Sequence, residues 1–226
     1  MELGLIGLGK TGVDMRERLR QAGHTVIGYD RDPGLADVGS LKELIAALTE
    51  PRAVWIIAAP GGPTRAVIEE LAQLLFPGDI VIDGGDSRWA DDKLHAAHLA
   101  AKDIGFVDAG VSGGVQGLEN GYALTVGGLP ADVAKVKPLF DALKPAGEFG
   151  YAHAGAVGAG HFAKTVHDGI EQAMTQAYAQ GWELLEAAPE VTDAQEVFRS
   201  WQDGTAIRSR LLDLAISEHH SPDTSG

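Results

Sequence analysis

The order of apolar and polar positions divides the chain into two regimes. Through roughly the first 150 residues, apolar runs of strand length alternate with amphipathic segments of helical period. That is the pattern of a doubly wound α/β domain built on a parallel sheet. The predicted strands are Glu2 to Ile6, Thr25 to Tyr29, Ala53 to Ala59, Asp79 to Asp83, Gly105 to Val111, Tyr122 to Val126 and Glu148 to Tyr151. Between them the spacing predicts helices over Gly12 to Ala22, Leu41 to Leu48, Thr64 to Leu75, Arg88 to Lys102 and Val133 to Leu143. Ser40 stands where it can cap the second helix, with Glu43 completing a capping-box pattern. Pro60-Gly61-Gly62-Pro63 reads as a loop, and Pro77-Gly78 as a turn.

The second regime begins near Gly158. No proline interrupts the chain from there to Ala188, and Phe162, Val166, Ile170, Met174, Tyr178 and Leu184 recur at helical spacing. A helix of about 30 residues is roughly 45 Å long, too long for one small domain, so it reads as a spine leading into a helical domain. Shorter helices are expected at Ala194 to Trp201 and Thr205 to Ile216. The predicted organisation is a dinucleotide-binding domain over 1–156, a spine and partial helical domain over 157–216, and a disordered tail over 217–226. Two short helices after so long a spine are expected to leave Trp182, Leu185, Trp201 and Leu212 poorly covered. A homodimer through this region is the predicted remedy.

Composition narrows the class. The fractions of hydrophobic (45%) and charged (22%) residues are those of a soluble globular protein. No apolar run reaches the roughly 20 residues of a membrane span, and Glu2 leads into a strand rather than a signal peptide. A net charge of −14 argues against nucleic acid as a partner. The absence of cysteine excludes disulfides and thiolate metal sites, and a reducing, cytoplasmic setting is expected.

The first candidate for chemistry is the turn after the first strand. Gly7, Gly9 and Gly12 form Gly-x-Gly-x-x-Gly, with Leu8, Lys10 and Thr11 between them. The first glycine permits the tight turn, the second lets a pyrophosphate approach the backbone, and the third lets helix and strand pack closely. Asp30, at the end of the second strand, is placed to accept hydrogen bonds from both hydroxyls of an adenosine ribose. That carboxylate favours NAD over NADP, while the neighbouring Arg31 leaves a 2′-phosphate open. Ala59 and Pro60, in the loop after the third strand, complete the expected cofactor contacts.

The second candidate is the start of the spine. Lys164, His167, Asp168 and Glu171 are related by steps of three, four and seven and share one helical face. Lys164 and Glu171 stand about 10 Å apart along the axis, enough to bracket a small polyol acid. A lysine in a helix's second turn, partly desolvated, suits a general base. The plainer alternative is a salt-bridged surface stripe.

These segments carry a family resemblance. Val157 to Glu171 is similar to the substrate-binding signature of the 6-phosphogluconate dehydrogenases, and Ile82-Asp83-Gly84-Gly85-Asp86-Ser87 resembles their second signature. Val111-Ser112-Gly113-Gly114 resembles the substrate loop shared with the wider 3-hydroxyacid dehydrogenase superfamily. The match runs from Leu3 to about Leu214 and favours the shorter bacterial members, with the C-terminal part truncated. The resemblance implies NAD(P)-dependent oxidative decarboxylation of a phosphorylated or plain sugar acid, a step of the pentose phosphate pathway. Lys164 would be the base and Glu171 the acid that protonates the enediol. Ser112, Gly113, Gly114 and His167 would hold the substrate, Asp86 and Asp168 would lie in the substrate site, and Asp86 would also reach the cofactor. No metal is expected, since the ketone beside the carboxylate is itself the electron sink.

Departures from the family pattern bear on activity. Asp86 and Asp168 stand where the family carries asparagine, and Gln172 where it carries a phosphate-binding tyrosine. A carboxylate four residues after Lys164 favours the ammonium form, and both acids repel an anionic substrate. Asn120 is the chain's only asparagine, so a chain-wide bias is a plain alternative source of these aspartates. Weak activity on 6-phosphogluconate is therefore expected. Two alternatives remain: hydride transfer on a neutral or cationic substrate, or a dinucleotide-binding paralogue without catalysis. Val115 and Gln116 are expected at the substrate entrance.

Overall fold

The computed structural model describes residues 1–219, Val115's side chain excepted. A seven-stranded sheet runs in the order β2-β1-β3-β4-β5-β6-β7. Its strands are β1 (Glu2–Ile6), β2 (Thr25–Tyr29), β3 (Ala53–Ile56), β4 (Ile80–Asp83), β5 (Gly105–Ser112), β6 (Ala123–Gly128) and β7 (Tyr151–Gly155). The first five strands pair in parallel. The sheet is not parallel throughout, because β6 runs antiparallel to β5 and β7 then parallels β6.

Helices α1 (Lys10–Gln21), α2 (Leu41–Ala46), α3 (Gly62–Leu74), α4 (Trp89–Ala100), α5 (Gly117–Asn120) and α6 (Pro130–Leu143) connect these strands. One buried cluster gathers Leu3, Leu5, Met15 and Leu19 with Val133, Val136 and Phe140, placing α1 and α6 on one face of the sheet. A second gathers Leu44, Ile45, Ile68, Leu71 and Leu99 against Val54, Ile56 and Val81, placing α2, α3 and α4 on the other. Strands buried on both faces read as continuous apolar runs, which is why their positions stand out in the sequence.

Several local boundaries differ from the sequence expectation for identifiable reasons. The strand expected to reach Ala59 ends at Ile56, where the backbone turns toward the Gly61 bend. The last strand lies at Tyr151–Gly155 rather than 148–151, because Gly147 and Gly150 adopt positive φ and hold that stretch in a turn. Proline at the first position of α6 opens that helix at Pro130 instead of Val133. A 3-10 turn over Gly114–Gln116 and the short α5 have no apolar period to announce them. Ser40 caps α2 by accepting the Glu43 amide at 3.1 Å, while the Glu43 carboxylate accepts the Gly39 amide at 2.8 Å.

The compact units divide between Thr165 and Val166, inside helix α7 (Ala159–Ala187). The first turns of α7 belong to the sheet domain because Asp108 on β5 caps them. Its carboxylate accepts the Gly158 amide at 2.7 Å and the His161 amide at 3.0 Å.

The second unit contains the rest of α7, α8 (Ala194–Ser200) and α9 (Arg210–Glu218). Tyr178, Trp182, Phe198, Leu212 and Ile216 are buried together there, with Leu185 and Trp201 packed against them. The expectation that Trp182, Leu185, Trp201 and Leu212 lie uncovered is therefore wrong. Val166, Ile170 and Met174, at steps of four, and Leu184 further along are the exposed large apolar residues of this unit's long helix. Helix α9 begins five residues later than expected, where Ser209 accepts the Leu212 amide at 3.2 Å. Ser217 and Glu218, assigned to the disordered tail by sequence, are helical, and residues 220–226 of that tail lie outside the described residues.

Candidate active site

The crevice forms at the carboxyl ends of the parallel strands, where the chain leaves β1 toward β2 on one side and β3 continues the sheet on the other. Gly7 turns out of β1 with φ of 94°. A Cβ on Gly12 would stand 2.0 Å from the Gly7 carbonyl oxygen, so α1 can lie this close to the turn only with glycine there. At Gly9 a Cβ would meet nothing within 4 Å. Open space above that residue, at the N-cap of a helix whose first amides have no partner inside it, fits an approaching pyrophosphate.

The Asp30 carboxylate is oriented by the backbone: it accepts the Leu8 amide at 2.6 Å and the Asp32 amide at 2.9 Å. The Asp32 amide, then the Leu8 and Arg31 amides and the Arg31 charge, hold its pKa below the ordinary value against the opposing effect of burial. The acid is thus ionised and fixed beside the glycine turn. Gly7, Asp30, Arg31 and Ala59 line a cavity of about 240 Å³ together with Tyr29, Ala58 and Pro63. Leu8 is buried; Gly9, Lys10, Thr11 and Pro60 are exposed at the surface of this region.

A second cavity, of about 320 Å³, is lined by Thr11, Gly84, Gly85, Asp86, Gly113, Gly114, Tyr122 and Lys164. The loop after β4, the loop after β5 and the second turn of α7 meet there, with Thr11 of α1 and Tyr122 just ahead of β6. Lys164 can sit so near β5 because both surfaces carry glycine. A Cβ on Gly110 would be 2.5 Å from Lys164 Cβ, and one on Gly160 would be 2.5 Å from the Thr125 carbonyl. The lysine side chain is 16% exposed, and its Nζ lies 3.8 Å from Asp86 Oδ1. Ser112 ends β5, paired with Ala123.

Tyr122 was not singled out as a site residue by sequence. It sits at the head of β6, facing the β5 loop across the antiparallel pair, and only that pairing reveals it. Burial first, with Asp14 adding to it, pushes its phenol up to about 12. Gln116, expected at the entrance, accepts a hydrogen bond from Asn120 at 3.1 Å.

The remaining predicted residues lie in the second unit. His167 Nδ1 is 3.1 Å from Asp168 Oδ1 and 3.8 Å from Glu171 Oε2, and the three sit together on the exposed face of α7. Asp168, Glu171 and Gln172 line a hollow of about 570 Å³ with Thr175 and Gln176.

Residues 2–148 match the family model for the NAD binding domain of 6-phosphogluconate dehydrogenase, and residues 160–224 that for its C-terminal domain. The chain belongs to the 6-phosphogluconate dehydrogenase family. It is therefore a nicotinamide-dependent dehydrogenase by descent, on a Rossmann-type fold. The NAD(+)-dependent, decarboxylating 6-phosphogluconate dehydrogenase of Haloferax volcanii is 35% identical over 95% of this chain and 73% of its own length. The decarboxylating enzyme of Synechococcus elongatus is 32% identical over 100% of this chain and 52% of its own. The Plasmodium falciparum 6-phosphogluconate dehydrogenase structure superposes with a TM-score of 0.88, at 22% identity, over 99% of this chain and 52% of that one. That likeness shows the shared fold. The chain thus spans about three quarters of one relative and about half of the longer ones. Among the described residues no helix is long and apolar enough to cross a membrane.

Proposed function

We propose that this protein oxidises a hydroxyl-bearing sugar acid with NAD and couples that oxidation to loss of carbon dioxide. The observation that carries the reading is the Lys164 amine, held in one cavity with the Gly84–Asp86 loop and the Gly113–Gly114 loop at the carboxyl ends of the strands. A bound nicotinamide supplies a hydride acceptor; the glycine turn and Asp30 are the residues that would hold the dinucleotide. Lys164 takes the proton of the C3 hydroxyl as the carbinol becomes a ketone. The 3-keto acid then loses its carboxyl group, the electron pair passing to the ketone oxygen. Glu171, two turns further along α7, returns a proton to carbon at the enediol stage. Ser112, Gly113, Gly114 and His167 bind the substrate's carboxylate and hydroxyls. NAD is favoured over NADP because the fixed Asp30 carboxylate repels a 2′-phosphate.

Asp86 favours a second reading of the substrate. A carboxylate 3.8 Å from the amine repels an anionic ligand and suits a neutral or cationic one. Turnover of 6-phosphogluconate is therefore expected to be well below ordinary dehydrogenase rates. Assays of NADH and carbon dioxide formation on 6-phosphogluconate, unphosphorylated aldonates and amino alcohols separate the readings. Lys164→Ala is expected to abolish turnover while leaving NADH binding intact. Asp86→Asn is expected to raise turnover of 6-phosphogluconate about tenfold, the equivalent of about 1.4 kcal/mol of relieved repulsion. Dinucleotide binding without turnover of any of these compounds would reduce the protein to a non-catalytic binder.

A homodimer, in which Val166, Ile170 and Met174 of two copies cover each other, is supported by their period-four spacing and exposure on α7. The cysteine-free composition supports a reducing, cytoplasmic setting.

A further inference from the structure

The proposed chemistry makes no use of a fully buried acid–imidazole pair in the sheet domain. His161 Nδ1 lies 2.8 Å from Asp92 Oδ2, with the side chains 1% and 0% exposed. Asp83 and Asp108 are also buried nearby and add to the negative field at the imidazole. Taking both partners out of water costs more than packing an apolar pair of similar volume, so stability alone does not call for them.

Their places in the fold suggest another role. Asp92 is in the first turn of α4, the helix entered directly from the Gly84–Asp86 loop. His161 is in the first turn of α7, three residues before Lys164. The two helix starts meet at two further points. A Cβ on Gly158 would be 2.8 Å from the Trp89 carbonyl, and the Trp89 and Phe162 rings pack edge to face at 5.7 Å. Asp108 holds the same turn of α7 from β5 through the Gly158 and His161 amides. Among these contacts only the His161–Asp92 pair is directional between the two helices.

We propose that the Asp92–His161 pair is a clamp that fixes the helix bearing Lys164 against the helix that ends the Asp86 loop, so that it sets where the lysine amine stands relative to the reacting carbon. Both residues are positioning residues, since neither lines the cavity. The proposal rests on Lys164 being the base. A shift of about 1 Å in such a group costs about a hundredfold in rate without destroying binding.

The test uses three variants of the whole chain. His161→Asn keeps a donor where Nδ1 stands and is expected to retain most of the turnover. His161→Phe leaves a buried carboxylate without its partner and is expected to lose both thermal stability and turnover. The double variant Asp92→Leu/His161→Phe fills the space with apolar groups and removes the stranded charge. It is expected to regain stability while kcat stays about a hundredfold down, with substrate KM and NADH affinity changed less than about threefold. Recovery of kcat together with stability would make the pair a packing element only and overturn the clamp. Reductive methylation of Lys164, followed by mass spectrometry with Lys137 as internal reference, reads the clamp without any assay of turnover. A changed Lys164 rate in the double variant is expected, and an unchanged rate refutes the clamp. If the wild type turns over no substrate, that failure falls on the proposed reaction, and the labelling result still decides the clamp.

Discussion

At the scale of single residues, the glycine turn separates two jobs that sequence alone assigns to one motif. Gly12 answers to the protein, because a Cβ there would strike the Gly7 carbonyl oxygen at 2.0 Å. Gly9 answers to the ligand, because a Cβ there meets nothing of the protein within 4 Å. Gly12→Ala is expected to destabilise the fold by about 1–3 kcal/mol, seen as a lower melting temperature, and to lose NADH binding with it. Gly9→Ala is expected to melt like the wild type yet bind NADH about tenfold more weakly in a fluorescence titration. Equal affinity in that variant would remove the pyrophosphate from this turn.

The buried pair gives a pH dependence with a definite sign. Burial pushes the His161 imidazole toward its neutral form, but the hydrogen bond and charge of Asp92, with Asp83 and Asp108 beyond, outweigh it and raise its pKa above 6.5. Burial raises Asp92 above 3.8 against the pull of His161. A raised folded pKa stabilises below the unfolded value and loses that contribution as pH rises through the folded one. Asp30 acts oppositely, its depressed pKa giving stability that is lost only in acid. Melting temperature is therefore expected to fall as pH rises above about 6.5 in the wild type, and to fall less in Asp92→Leu/His161→Phe. Equal slopes in the two proteins would show that this pair does not carry the alkaline loss.

At the scale of elements, the sequence is most legible where one segment contains its own reason for existing. The five parallel strands are apolar runs because both faces are buried, and the start of α7 carries lysine, histidine and acid at helical spacing in one string. What it hides depends on partners far along the chain. Asp92 and His161 are separated by 69 positions, and each alone looks like an ordinary polar residue on a helix. Tyr122 becomes a cavity residue only through the β5–β6 pairing. Trp182 and Leu212 look uncovered in sequence because nothing local tells that α8 and α9 fold back over α7.

The same packing leaves Val166, Ile170 and Met174 as the exposed row on α7, at 48%, 57% and 37%. A charge in the middle of a row that two copies share meets its own like charge across a two-fold contact. Ile170→Glu is expected to convert a dimer to a monomer in sedimentation equilibrium while leaving the helical circular dichroism unchanged, since the site is already exposed. A wild-type monomer at the highest attainable concentration removes this contact from the proposal.

At the scale of the whole molecule, the chain carries cores of unequal size on either side of the Thr165–Val166 division. Two large clusters flank the sheet, while among the described residues the second unit buries Tyr178, Trp182, Ala194, Phe198, Leu212 and Ile216 together. So small a core supplies little net stability once the entropy of ordering three helices is subtracted. Hydrogen exchange in increasing denaturant is therefore expected to open peptides around Tyr178 and Leu212 before those around Leu3 and Val81. The two openings should also respond to different additions. NADH at about a hundred times its dissociation constant should raise the sheet domain's opening energy by about 2.7 kcal/mol, because its turn and acid lie in that unit. Higher protein concentration should instead protect the second unit, because the exposed row proposed for dimer contact lies there. One transition that shifts as a whole with either addition would mean that the continuous helix α7 makes the two cores a single cooperative structure. Local opening would then offer no route to loosening Glu171 while Lys164 stays fixed.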